Sequence, residues 1–108
     1  MADLHARLAT ATGFEWDAGN AAKNGTKHDV SQAECEPAFF NAPLVLAADP
    51  EHSGVEARFF ALGQTVGGRL LLIVFTLRGL LVRVISARPM SRREREVYAD
   101  AQADEGTE

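Results

Sequence analysis

Two apolar, largely β-branched runs dominate the second half of the chain, Arg69–Leu77 and Leu80–Ala87, with only Arg78-Gly79 between them. That spacing predicts a tight antiparallel hairpin. A two-residue loop at Arg78-Gly79 sets Leu77 opposite Leu80, Phe75 opposite Val82 and Arg69 opposite Arg88. Arg58–Val66 predicts a further strand, joined to the first run by a Gly67-Gly68 turn, and Gly63 within it suggests a bulge. Leu44–Ala47 reads as a short strand ahead of the polar loop Asp49–Ala57. Gly13-Phe14-Glu15-Trp16 alternates weakly and predicts a short strand of its own.

Helix signals flank these strands. Ser31-Gln32-Ala33-Glu34 and Ser91-Arg92-Arg93-Glu94 both fit a capping box, in which serine and glutamate side chains bond each other's backbone N–H groups. Pro37 limits the first of these helices, and the second runs to about Ala101 after Pro89 ends the last strand. Asp17 can cap a helix over Ala18–Lys27, weakened by Gly19 and Gly25. Met1–Thr12 predicts a loose arm, with a turn of helix over Leu4–Ala11 as the alternative. The sum is an α+β chain: an antiparallel sheet of about four to five strands, two N-terminal helices and a C-terminal helix. One domain is expected over 14–101, with a flexible arm at 1–13 and an acidic tail at 102–108. The long strands are apolar on both faces, and helices from so short a chain can cover one face fully. The other face is expected to remain an apolar patch suited to a protein partner.

The 108 residues are enough to bury a core without staples. The single cysteine, Cys35, excludes an internal disulfide and fits a reducing compartment, with the thiol expected to be buried and structural. Met1–Gly13 lacks the long apolar core of a signal peptide, and Leu70–Phe75 is too short to span a bilayer, so a soluble cytoplasmic protein is expected.

The formal net charge of −4 hides a segregation. Arg58 to Arg95 holds eight arginines, no lysine and one acid, Glu94, while fourteen of the fifteen acids lie elsewhere. A half-chain this rich in arginine suits bidentate contacts to phosphate, or an acidic peptide.

Several residues are candidates for chemistry, each with a simpler structural reading beside it. Arg69 and Arg88, opposite each other, either share an anion or splay into water. Arg83, set among Leu81, Val82, Val84 and Ile85, must find a carboxylate, carbonyls or a ligand. Lys27 and His28 close a helix, where the dipole favours cations. Glu56 can pair with Arg58, and Arg92, Arg93 and Arg95 form a solvated helix face. Trp16 belongs to the core or stacks a base. His5, His28 and His52 are scattered without metal-ligand spacing. No glycine-rich phosphate loop joins a strand to a helix, and no serine sits in a nucleophile elbow.

These residues also fall in a recognisable order. Phe14-Glu15-Trp16-Asp17, Asn24, Lys27-His28 and Val30-Ser31 resemble the start of the BrnT toxins. So do Asp49-Pro50-Glu51-His52-Ser53 with Glu56 and Arg58. Gly68-Arg69-Leu70-Leu71, Val74-Phe75-Thr76, the Arg83–Arg88 run, and Arg93-Glu94-Arg95 with Tyr98 complete the likeness. Asn20 departs from it, standing where lysine is common, and Asp29 stands where glycine often follows Lys-His. Both changes make a path for RNA less positive.

The resemblance implies a RelE-like fold and a ribonuclease toxin of a bacterial type II toxin–antitoxin module that blocks translation. It implies neutralisation by a BrnA-like antitoxin, through which alone the complex touches operator DNA. Metal-free RNA cleavage needs a base for the 2′-hydroxyl, a cationic clamp on the phosphorane and an acid for the leaving oxygen. The candidates are Arg83 and Arg88 for the clamp, joined by Glu56, His28 and Lys27, with no cofactor and no metal. Arg58, Arg69, Trp16, Arg92 and Arg95 are the candidates for binding RNA. Arg83 and Arg88 have odd spacing, so they share a face only if the strand bulges or twists near Ser86-Ala87; Arg88 is then expected beside Arg69. Two further classes stay open: a toxin of related fold that poisons a protein target such as gyrase, and a weakly catalytic module that binds antitoxin and regulates the operon.

Overall fold

The computed structural model describes residues 2–17, 30–51, 54 and 56–105. These contain three helices and a five-stranded sheet: α1 (Ala2–Thr10), β1 (Gly13–Glu15), α2 (Gln32–Ala38), β2 (Val45–Ala48), β3 (Phe59–Gln64), β4 (Leu70–Arg78), β5 (Leu81–Pro89) and α3 (Arg92–Glu105). The sheet order is β1-β5-β4-β3-β2. Strands β2 to β5 form the expected antiparallel meander. β1 does not extend it antiparallel; it runs parallel to β5, with Gly13, Phe14 and Glu15 beside Leu81, Val82 and Arg83. The sheet is therefore mixed. A parallel neighbour needs a long connection, and the chain supplies one by crossing to the far edge before β2.

The helices also differ from the expected arrangement. Ala2–Thr10 is helical where a loose arm was the first expectation, with Leu4 buried in the core and Leu8 packed against it, one turn apart on one face. The helix expected over Ala18–Lys27 lies outside the described residues. α2 opens as expected on Ser31, whose side chain accepts from Glu34 N–H while Glu34 accepts from Ser31 N–H. It ends one residue after Pro37, which cannot donate into the helix. α3 carries the second box: Ser91 N–H donates to Glu94 at 2.8 Å and Glu94 N–H to Ser91 at 3.2 Å.

The central hairpin turns one residue later than expected, which moves each cross-strand partner by two. Arg78 pairs with Leu81 and Leu77 with Val82, so the loop is Gly79-Leu80. Gly79 takes φ +61°, the left-handed value that a tight hairpin needs at its first loop position. Further along, Phe75 pairs with Val84 but Val74 with Ser86, leaving Ile85 as a bulge. Together these shifts place Leu72, not Arg69, opposite Arg88. The proposed facing pair of arginines does not exist.

Gly63 is not a bulge either, since the β3–β4 register is continuous around it. A β-carbon there would lie 2.8 Å from the Ala38 carbonyl oxygen. The glycine lets the end of α2 press onto the sheet.

Each sheet face has its own apolar cluster. α1 and α2 cover Ala61, Leu71, Ile73, Phe75, Val82, Val84 and Ala87, together with the fully buried Cys35. Phe39 from the end of α2 meets Phe75 edge-on at 5.2 Å. The opposite face is not left wholly open. Met90 and the fully buried Tyr98 cover Leu62 and Leu72, and the Tyr98 hydroxyl donates to the Pro43 carbonyl at 2.7 Å. What remains beside α3 is a groove of about 290 Å³, lined by Val45, Ala47, Phe60 and Val97 among others. No described helix is long and apolar enough to cross a membrane.

Gly63→Ala is expected to destabilise the fold by about 1–3 kcal/mol, because the added carbon meets backbone that cannot step aside. Urea unfolding checks this; a variant as stable as the parent would show that α2 is free to lift.

Candidate functional site

Side chains alternate along a strand, and the Ile85 bulge adds one to the count on β5. Arg83, opposite Thr76, and Arg88, opposite Leu72, therefore emerge on the same sheet face, one residue away from where the sequence placed the required bulge. Glu15, in register with Arg83, and Arg78, at the tip of β4, share that face.

These groups form one alternating chain of charge. Arg78 holds Glu56 side-on, with Nε to Oε2 at 2.7 Å and Nη2 to Oε1 at 3.0 Å. Its remaining Nη1 donates to Glu15 Oε1 at 2.8 Å. The same oxygen accepts from Arg83 Nη1 at 3.0 Å. Arg83 then grips Asp17, Nη1 to Oδ2 at 3.0 Å and Nη2 to Oδ1 at 3.4 Å. The Arg83 side chain is 17% exposed, against 57% for Asp17.

The hydrogen bond from Arg78 holds the Glu56 carboxyl below its usual pKa, with the charges of Arg78, Arg83 and Arg58 acting in the same sense. Arg78 is correspondingly raised, first by Glu56, and Arg83 is raised, first by Asp17.

Two other candidate arginines serve the capping boxes. Arg69 Nη1 lies 3.2 Å from both Glu34 oxygens, tying the start of β4 to the start of α2. Arg88 meets Glu94 in a fork, 2.8 and 2.9 Å, tying β5 to the start of α3. The partners of Arg83 and Arg88 lie four positions apart on β4, roughly 13 Å of strand. As folded, their guanidiniums are held apart on separate carboxylates.

Other candidates lie elsewhere. Trp16 packs against the core beneath α2, and its indole N–H donates to Glu36 at 2.7 Å. Arg92 is an exposed side chain with Glu96 at 3.8 Å, and Arg95 Nη1 donates to the Met90 carbonyl at 2.9 Å. Arg58 is half-buried just before β3 and acts on Glu56 through its charge. Lys27, His28 and His52 lie outside the described residues, as do Asn20 and Asp29. Burial, and then the nearby Glu34 and Glu36, push the Cys35 thiol up to about 12, so it stays protonated at neutral pH. Among the described residues no three histidine, cysteine or acidic side chains gather to hold a metal ion.

Sequence reasoning missed Glu15, Asp17 and Arg78. Arg78 was hidden by its assignment to the turn; once Gly79-Leu80 is the loop, alternation puts it on the face of Arg83. Glu15 needed the pairing of β1 with β5, which nothing in its three residues announces.

Residues 16–94 match the family described as "Ribonuclease toxin, BrnT, of type II toxin-antitoxin system". The chain belongs to this family. The match spans most of the chain and takes in Asp17, Glu56, Arg58, Arg69, Arg78, Arg83, Arg88 and Glu94. A BrnT toxin of a type II module has an antitoxin as partner. No curated protein matches the chain.

The Arg88 hydrogen bonds hold Glu94 below the usual carboxylate value, with its Ser91 backbone bond adding to the effect. A depressed folded pKa gives stability that is present above the unfolded value and lost as pH falls through the folded one. Glu94→Gln keeps an acceptor for the Ser91 N–H but loses the charge that grips Arg88, and should therefore cost about 1 kcal/mol or less near pH 7. The difference from the parent should shrink as pH approaches about 3. Urea unfolding at both pH values measures it; an undiminished gap in acid would assign the loss to packing instead.

Proposed function

We propose that this BrnT toxin cleaves RNA without a metal ion, thereby inhibiting translation, and that a BrnA-like antitoxin neutralises it and carries the complex to operator DNA. The observation that carries this reading is the family match over residues 16–94. The charged network on the sheet face supplies a chemistry to go with it.

In that chemistry the 2′-hydroxyl of RNA attacks the adjacent phosphorus and the 5′-oxygen leaves. Glu56 is the base for the 2′-hydroxyl: its lowered pKa keeps it ionised, at some loss of basicity. Arg83 stabilises the phosphorane. A phosphate reaches it by taking the place of Asp17, its more exposed partner. Arg88, roughly 13 Å along the sheet, holds a phosphate further along the same strand, not the adjacent one. Lys27 and His28 remain the candidates for protonating the leaving oxygen. Arg58, Arg92 and Arg95 remain candidates for the surrounding RNA contacts, with Arg58 nearest to Glu56 in charge and in sequence; Arg69 and Trp16 are held against α2 and would contact RNA only away from this face.

One observation favours a second reading, a weakly catalytic module that acts mainly through its antitoxin. Arg69, Arg78, Arg83 and Arg88 are all engaged by carboxylates of the chain itself, so RNA must compete for them.

Purified toxin, assayed alone and with ribosomes, is expected to cut RNA in EDTA. Activity abolished by chelation and restored by one divalent ion, with RNA folding controlled for, would overturn the metal-free mechanism. Arg83→Ala should lower the cleavage rate about 100-fold or more while the protein still melts cooperatively, and Asp17→Asn should tighten RNA binding. An active Arg83→Ala variant would remove Arg83 from the site. Absence of cleavage by the parent under every condition, with antitoxin binding intact, would favour the second reading.

A further inference from the structure

We propose that Arg78, at the tip of the β4–β5 hairpin, is the positioning residue of this site: it fixes the Glu56 carboxylate and couples it through Glu15 to Arg83. The inference rests on the reading of Glu56 as the base.

The geometry is specific to a guanidinium. Two donors of Arg78 take both oxygens of Glu56, at 2.7 and 3.0 Å, and its remaining nitrogen takes Glu15 at 2.8 Å. A lysine has one ammonium and cannot meet a carboxylate side-on while also reaching a second carboxylate on another strand. Both ends of the chain of charge are anchored independently of Arg78. The Thr76 hydroxyl, buried on the same face, donates to the Ala57 carbonyl at 2.6 Å and pins the backbone beside Glu56. Glu15 is fixed by its pairing with Arg83 across β1 and β5. Arg78 thus bridges two short segments, one before β3 and one on the edge strand.

Exposed ion pairs contribute little to stability, and Arg78 and Glu56 are each close to half exposed. The network's larger effect is on the state and direction of Glu56. Of the described groups, Arg78 from β4, Arg83 from β5 and Arg58 from the stretch before β3 face that carboxylate, and the Arg78 hydrogen bond dominates its titration. Without the fork Glu56 should titrate at higher pH and wander from its place. If Glu56 is the base, the acid limb of the cleavage profile moves with it.

The test uses the full chain, with wild type, Arg78→Gln, Arg78→Lys and Glu56→Gln checked for cooperative melting. Carboxyl-carbon NMR follows Glu56 through its titration, and cleavage of a labelled single-stranded RNA, alone and with ribosomes, is measured against pH. The expected result is a Glu56 titration shifted to higher pH in Arg78→Gln, a smaller shift in Arg78→Lys, and an acid limb that follows each. An unmoved Glu56 titration overturns the inference whatever the activity does. So does an unmoved acid limb when Glu56→Gln is inactive. A Glu56→Gln variant as active as wild type overturns instead the reading of Glu56 as base, and the NMR shift then shows Arg78 holding a carboxylate outside the chemistry.

Discussion

A guanidinium on an apolar sheet has to be paired, and this chain carries eight of its nine arginines between Arg58 and Arg95 and all but one of its acids outside that stretch. The fold brings the two sets together. Acids from the N-terminal part, Glu15, Asp17, Glu34 and Glu56, meet Arg83, Arg78 and Arg69 from the sheet. Arg88 finds Glu94, the one acid within the basic stretch. The carboxylates are shared economically: Glu34 and Glu94 each cap a helix with one set of bonds and hold an arginine with another. Docking of both capped helices onto the sheet is thereby tied to the same ion pairs.

The Ile85 bulge is the second constraint. Without the extra residue, alternation would send Arg83 and Arg88 to opposite faces, one of them into the cluster under α1 and α2. With it, both share the face that α3 covers only in part. Polar groups gather at one end of that face around Arg78 and Arg83, while Met90 and Tyr98 seal the other. The division leaves a charged site and an apolar groove adjacent on one surface, a layout compatible with a toxin that must meet both a nucleic acid and an antitoxin.

For a ribonuclease toxin, a site already filled by its own carboxylates has a physical consequence. On the proposed reading, RNA phosphate would not meet a bare guanidinium at Arg83; it would exchange with Asp17, so binding would be a difference between two sets of charge-assisted bonds. The same arrangement keeps half-buried guanidiniums satisfied when no RNA is present. It also makes carboxylates on a partner natural competitors for the phosphate sites.

The sequence by itself determined the local features. Both capping boxes, the antiparallel meander, the short first strand, the burial of Cys35 and the family were legible, because each depends on residues close together in the chain or on several motifs in order. The need for a bulge near the end of β5 was legible from the odd spacing of Arg83 and Arg88. Tertiary structure alone decided the parallel pairing of β1 with β5, since three residues carry no record of strand direction, and with it the place of Glu15. It decided the docking of α1, whose sparse Leu4 and Leu8 pattern is too weak without a sheet to pack on. It decided the register: the loop shift to Gly79-Leu80 separated Arg69 from Arg88, and no local signal distinguishes Arg78-Gly79 from Gly79-Leu80 until the cross-strand pairs are made. Arg78 moved from a turn to the centre of a charged network for that reason, because which carboxylate a long side chain reaches is fixed by strands distant in sequence and adjacent in space.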